Sequence, residues 1–228
     1  MNKINKKIAM VLVSLAWLGS SVCAAAQSNK VIIEQIGSSN VVTITQIGGG
    51  NRVGDTTTPS SITGSTNILT TSQTGASNII DYTVVGSTNT ISKTVLGDTN
   101  QITFTCGDST TGCTNVNSTM AIAGNLNTVM SLIKGTGITN LLNITGDSNT
   151  VTQNILTSNS SSSITILGDS NLFTSTMSGA SAGSGHILIA SVLGTSNTHT
   201  VSQTGTVDTT VNIITNGSSN TVTVSTGN

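Results

Sequence analysis

The chain has 228 residues, of which 7% are Asp, Glu, Lys or Arg and 2% are aromatic, and its formal net charge is −1. So little positive charge argues against a phosphate-contacting nucleic-acid binder, and a single arginine (Arg52) with two scattered histidines (His186, His199) argues against an enzyme, whose site needs converging ionisable groups. Abundant Thr, Ser, Asn and Gly beside Val and Ile fit neither an ordinary globular domain nor a charged disordered chain, so any core must be thin and built of aliphatics and amides.

At the N-terminus, Lys3, Lys6 and Lys7 precede an apolar run from Ile8 to Leu18 and a small-residue stretch at Ala24–Ala26. These are the three parts of a secretory leader, expected to span residues 1–26 and to be removed; the run is short for a membrane span. Cys23 lies near the cleavage point, but Val22 stands where a lipid-anchor motif wants a small residue. Removing Lys3, Lys6 and Lys7 takes the net charge from −1 to −4. Residues 27–228 are then one repeat domain, and the expected location is extracellular or on the cell surface.

The segment from residue 35, QIGSSNVVTITQIGGGN, holds Q-x-G-x-x-N twice, eleven residues apart. G-x-x-N recurs at Gly64, Gly75, Gly86, Gly97, Gly112, Gly124, Gly137, Gly146, Gly168, Gly194 and Gly217, with degenerate copies at Thr157, Gly179 and Gly205. An offset that recurs along the whole chain is architecture rather than a site. Between the turns the chain alternates, as in VVTITQ after Asn40, ILTTSQ after Asn67 and TVTVST after Asn220. Alternation with β-branched residues predicts a strand, and G-x-x-N predicts a tight turn because Gly and Asn tolerate positive φ.

Period two sorts the side chains. The Asn, the aliphatics (Val42, Leu69, Ile80, Ile91, Ile102, Val129, Leu142, Val151, Phe173, Val222) and the Gln positions share one face, while Thr and Ser line the other. One such strand cannot bury its apolar face alone. The expected fold is therefore all-β: a two-sheet β-solenoid of strand-turn-strand coils, about 22 residues per coil in 11-residue half-repeats, with roughly eight coils and a length of ~40 Å. Stacking places like residues above one another. The expected inward ladder is Gln35, Asn40, Gln46, Asn51, Asn67, Gln73, Asn78, Asn89, Asn100, Asn149, Asn171, Asn197, Gln203 and Asn220; the expected turn glycines are Gly37, Gly48, Gly64, Gly75, Gly86, Gly97, Gly146, Gly168, Gly194 and Gly217. Pairing the amides offsets the roughly 1–3 kcal/mol that a buried unpartnered polar group costs.

Insertions interrupt the period at Gly48–Gly64, Cys106–Gly112 and Gly179–Gly194. In an exported chain, Cys106 and Cys113 are expected to close the second insertion with a disulfide, the alternative being two free thiols. Asp98, Asp147 and Asp169 follow turn glycines and read as Asx turns that satisfy local amides. No catalytic group, cofactor site or metal site is expected. The outward T-x-T pairs, such as Thr43/Thr45 and Thr174/Thr176, suit solvent-facing strands and also an ice-binding surface. The last unit ends within its strand, with no charge after Asp208 to blunt the edge.

Gln35-Gly37-Asn40 through Val42 to Gln46-Gly48-Asn51, repeated at Gln73-Gly75-Asn78 and Gln203-Gly205, resembles the curlin repeat of curli, the functional amyloid fibres of biofilm matrix. The resemblance implies a secreted subunit that stacks end to end as cross-β. The implied partners are copies of itself, a nucleator subunit and an outer-membrane export pore. Val84, Val95, Ile166 and Val192 stand where the curlin repeat has Gln. The alternative is a non-polymerising solenoid acting as a surface adhesin or an ice-binding protein.

Overall fold

The computed structural model describes residues 12–13, 28–179 and 185–227. Of the expected leader, only Leu12–Val13 fall within the described residues. Among those residues every regular element is a strand, and the strands pair in parallel. The first sheet runs Leu12–Val13, Val41–Ile47, Ile68–Thr74, Thr90–Leu96, Asn117–Ala123, Thr139–Thr145, Ser161–Leu167, Ile187–Leu193 and Thr210–Asn216. The second begins with Lys30–Val31 and Ile33–Ile36, then Arg52–Val53 and Ser60–Thr63. It continues through Ile79–Ser87, Gln101–Cys106, Thr128–Ile133, Thr150–Ile155, Leu172–Met177, Thr198–Gln203 and Thr221–Thr226.

The chain alternates between the sheets, so each strand hydrogen-bonds to the strand one coil away rather than to its sequence neighbour. This is the expected two-sheet β-solenoid. First-sheet strands start at 41, 68, 90, 117, 139, 161, 187 and 210. The step is thus 22 or 23 residues in plain coils and 26 or 27 where an insertion bulges out. The register does not slip: Ile80, Ile102, Val129, Val151, Phe173, His199 and Val222 form one inward column.

The sheets face each other across a core two side chains thick. Ile80, Ile102, Val129 and Val151 are wholly buried, as are Leu142, Ile164 and Ile166 opposite, each stabilising the fold by about 1.5–3 kcal/mol. Outward positions carry Thr43, Thr45, Ser92, Thr94, Thr174 and Thr176, all exposed or half-buried. Burial falls off at the C-terminal end, where Val222 and Val224 are only half-buried. Among the described residues no strand pairs beyond that coil.

Two insertions are pinned to the second sheet. Arg52 pairs with Asp55 in the first and reaches Asp81 at 3.5 Å. A disulfide joins Cys106 and Cys113 across the second, and Lys134 pairs with Asp108 there. That bond and the N–H groups of Thr111 and Thr110 lower the Asp108 carboxyl to about 2.

Candidate functional site

Each coil turns two corners, and each corner is a four-residue turn that ends at the residue before a strand. The turn glycines Gly37, Gly48, Gly64, Gly75, Gly86, Gly97, Gly146, Gly168, Gly194 and Gly217 all have positive φ. Glycine is required for a second reason: a Cβ on Gly64 would lie 1.8 Å from the carbonyl oxygen of Gly86 in the next coil. The other left-handed residue is not the motif Asn, as the sequence suggested, but the residue before it: Ser39, Thr66, Ser77, Thr88, Thr99, Leu126, Ser148, Ser170, Ser196 and Ser219, with φ from 57° to 61°. The Asn is released from that strain and extends its carboxamide inward.

At the corner entering the second sheet, the carboxamides form one unbroken ladder: Asn29, Asn51, Asn78, Asn100, Asn127, Asn149, Asn171, Asn197 and Asn220. Take Asn149. Its backbone N–H and Nδ2 both donate to Asn127 Oδ1, at 2.9 and 3.1 Å. Its Nδ2 also donates to the Gly168 carbonyl of the next coil at 2.8 Å, and its Oδ1 accepts from Asn171. Each rung thus ties the coil before it to the turn after it. Asn51, Asn78, Asn100, Asn149, Asn171 and Asn197 are buried, while Asn220, on the last rung, is exposed.

At the other corner the ladder is short. Asn40, Asn67 and Asn89 stack in the same way, and then Val116, Ile138, Ser160, His186 and Thr209 take the position. Some replacements keep the bonding: Ser160 Oγ accepts the His186 N–H at 3.2 Å, and His186 Nδ1 accepts the Thr209 N–H at 3.3 Å. The glutamines do not form the expected ladder. Gln46 donates to Gln73 Oε1 at 2.8 Å, but Val95 follows in that column. Gln35 lies in the second sheet beside Ile62, and Gln203 sits between Met177 and Thr226.

A third ladder runs along the turns that leave the first sheet. Asp98, Asn125, Asp147 and Asp169 each accept a backbone N–H from the coil before: that of Ala76 at 2.6 Å, Asp98 at 2.8 Å, Asn125 at 2.6 Å and Asp147 at 2.8 Å. The carboxylates therefore serve between coils, not within their own turns as Asx turns would. The expected ladder left out Asn29, Asn125 and Asn127, although the G-x-x-N at Gly124 ends on Asn127. Asn29 has no glycine three residues before it, and Asn127 follows a bulky Leu126 in its turn.

Among the described residues four buried side chains, Lys93, Tyr82, His186 and His199, carry ionisable groups without acidic partners. Lys93 points into the core with its Nζ 3.6 Å from the Phe104 ring centroid, and among the described residues that Nζ has no hydrogen-bond partner. Burial holds it well below the usual lysine range and pushes the adjacent Tyr82 hydroxyl up. His199 stacks on Phe173, bonds Thr215 Oγ1 through Nε2 at 2.8 Å, and is made less basic by burial. Tyr82 borders a small open cavity beside Thr58, Pro59 and Ser60, and among the described residues no three His, Cys, Asp or Glu side chains gather as a metal site.

No family model, curated protein or solved structure matches the chain. The surfaces that remain to be used are the two ends of the rod and its two flat flanks.

Proposed function

We propose that this protein is a secreted structural subunit that polymerises end to end into a curli-like cross-β fibre. The observation that carries the reading is the open C-terminal coil. Among the described residues Thr221–Thr226 pairs on one side only, with Thr198–Gln203. Asn220 donates back to Asn197 as every earlier rung does. Solenoids that stay monomeric close such an end with a polar or helical cap, and among the described residues no helix does so.

A second copy fits this edge through the second sheet, which both opens and closes the chain. Stacking Lys30–Ile36 of the next copy on Thr221–Thr226 sets Val31 over Val222, Ile33 over Val224 and Gln35 over Thr226 in the core. Asn29 falls on Asn220, so the ladder continues across the junction. Outside, Lys30 meets Thr221 and Glu34 meets Ser225, with no like charges opposed. The first sheet has one row fewer after Leu12–Val13 is set aside, so the junction leaves a one-strand slot between Thr210–Asn216 and the next copy's Val41–Ile47. Leu12–Val13 hold that slot in the isolated chain, paired with Thr43 and Ile44. Removing the leader would vacate it, so processing and assembly are linked in this reading. The experiment is growth of the purified leaderless protein with and without Asn220→Lys plus Val222→Lys. Wild type is expected to give filaments by electron microscopy and thioflavin fluorescence, and the variant short rods; persistent wild-type rods would sink the proposal.

A second reading is favoured by the outer face of the second sheet. There Thr152, Thr174, Thr200 and Thr223 form one column and Asn154, Thr176, Ser202 and Ser225 the next, in register over successive coils. Ordered hydroxyl rows of this kind suit ice. Thermal hysteresis without filaments would select it.

A further inference from the structure

The outer face of the first sheet differs from every other surface of the rod. It comprises eight strands of seven residues each, from Val41–Ile47 to Thr210–Asn216, all in register. Not one ionisable side chain points outward from it, since its single charged residue, Lys93, is buried in the core. It also carries Val41, Ile47, Ile68, Leu96, Leu167, Ile189, Leu193 and Ile214, each at least 42% exposed. The second sheet's outer face carries Lys30, Glu34, Arg52 and Asp81 and exposes fewer large aliphatics.

We propose that this uncharged face is a lateral interface, and that two copies pack through it with their rods parallel. Its size fits: seven residues at ~3.3 Å by eight strands at ~4.8 Å give ~890 Å², close to the ~800 Å² each partner contributes to a standard interface. Exposed aliphatics interleaved with Thr, Ser and Ala can meet their own kind at sheet-packing distance without stranding a charge.

The acidic ladder sets the direction. Asp98, Asp147 and Asp169 flank one long edge of the face, beside Leu96, Thr145 and Leu167. The other edge is flanked by turns of lower charge: Asp108 and Lys134 pair with each other there, Asp208 accepts the Gly185 N–H, and the turns at Ser38-Ser39, Ser65-Thr66 and Ser87-Thr88 are uncharged. A two-fold axis along the rod places the two acidic edges on opposite sides of the pair. A two-fold axis across it would bring them together on one side, within about a Debye length at physiological salt. The pairing does not rest on axial growth, because a rod that never elongates has the same face.

The test uses a Val222→Lys background, in which the axial edge is blocked and lateral pairs can be counted. Analytical ultracentrifugation is expected to show a dimer. Adding Leu141→Lys and Ile189→Lys at the centre of the face is expected to weaken it at least ~tenfold, because two charges are desolvated. The same charges at Thr174 and Thr200 on the second sheet leave it unchanged. A milder pair, Leu141→Thr with Ile189→Thr, serves if circular dichroism shows that lysine disrupts the coils. A photo-crosslinking residue at Thr70, in mixed isotope-labelled protein, is expected to join Ile68–Thr74 of one copy to Ile68–Thr74 of the other. Monomers at all concentrations, equal effects from the two lysine pairs, or crosslinks from Thr70 to Ile187–Leu193 would overturn the proposal. So would monomeric rods that bind ice or an insoluble polysaccharide through this face.

Discussion

Two corners of the same coil share one backbone turn but differ in chemistry. Entering the second sheet, Asn fills the corner position in every row from Asn29 to Asn220. Entering the first, Asn stops at Asn89, and Val116, Ile138, Ser160, His186 and Thr209 follow. The coil therefore does not need Asn to turn, since glycine and the left-handed residue do that work at both corners. What Asn adds is bonding between coils, which Ser160 and His186 partly reproduce and Val116 and Ile138 cannot. A fully bonded corner holds the row spacing along the whole rod and carries it to an exposed rung at Asn220. The mixed corner trades bonds for packing.

The largest effect should come from breaking the continuous corner. Asn127→Leu removes the side-chain partners of the Asn149 N–H and the Gly146 carbonyl, and takes one of two bonds from Asn149 Nδ2 and from Asn100 Oδ1. It is expected to cost on the order of 3 kcal/mol or more, whereas Ile138→Val at the mixed corner costs about 1 kcal/mol. Denaturant unfolding followed by circular dichroism compares the two, and equal losses would remove the distinction between the corners. A smaller effect is expected on repairing the mixed corner. Ile138→Asn alone buries an amide beside Val116 and costs about 1–2 kcal/mol, and adding Val116→Asn, which links it to Asn89, recovers most of that.

The smallest effect is expected from acid. Among the described residues the turns of the continuous corner bury no ionisable group, their Asp98, Asp147 and Asp169 being exposed, while the C-terminal coils bury His186 at the mixed corner and His199 nearby. Burial lowers the folded-state basicity of His199, so the unfolded chain takes up its proton first. Stability is therefore present above the usual histidine range near 6.5 and falls as pH drops below it. Hydrogen exchange should speed up over 198–216 before it does over 79–106, and His199→Phe should remove that difference.

The fold was legible because the repeat is local: glycine at the turn, alternation in the strand and one offset over the chain. The bonding frame was less so, because it is decided by the coil below. GCTN at Gly112 matches the motif, yet Cys113 is held opposite Gly86 and Thr114 opposite Ser87. Asn115 therefore takes the left-handed position, at φ 54°, and Val116 falls at the corner. GITN at Gly137 fails similarly: Asn140 lies inside a strand beside Ser118. Asn29 was invisible to the motif because it has no turn glycine of its own and is recognised only through its bond to Asn51. The asymmetry between the flanks of the rod could not be read until each strand had been assigned to a sheet.

The most direct measurement of the central claim is the axial repeat of the assembled protein, by cryo-electron microscopy or fibre diffraction. Stacking through the second sheet's ladder, from Asn29 to Asn220, predicts a strand spacing of ~4.8 Å along the fibre and a rise of ~43 Å per copy. Monomeric rods at every concentration, or a fibre whose strands do not run across its axis, would contradict it.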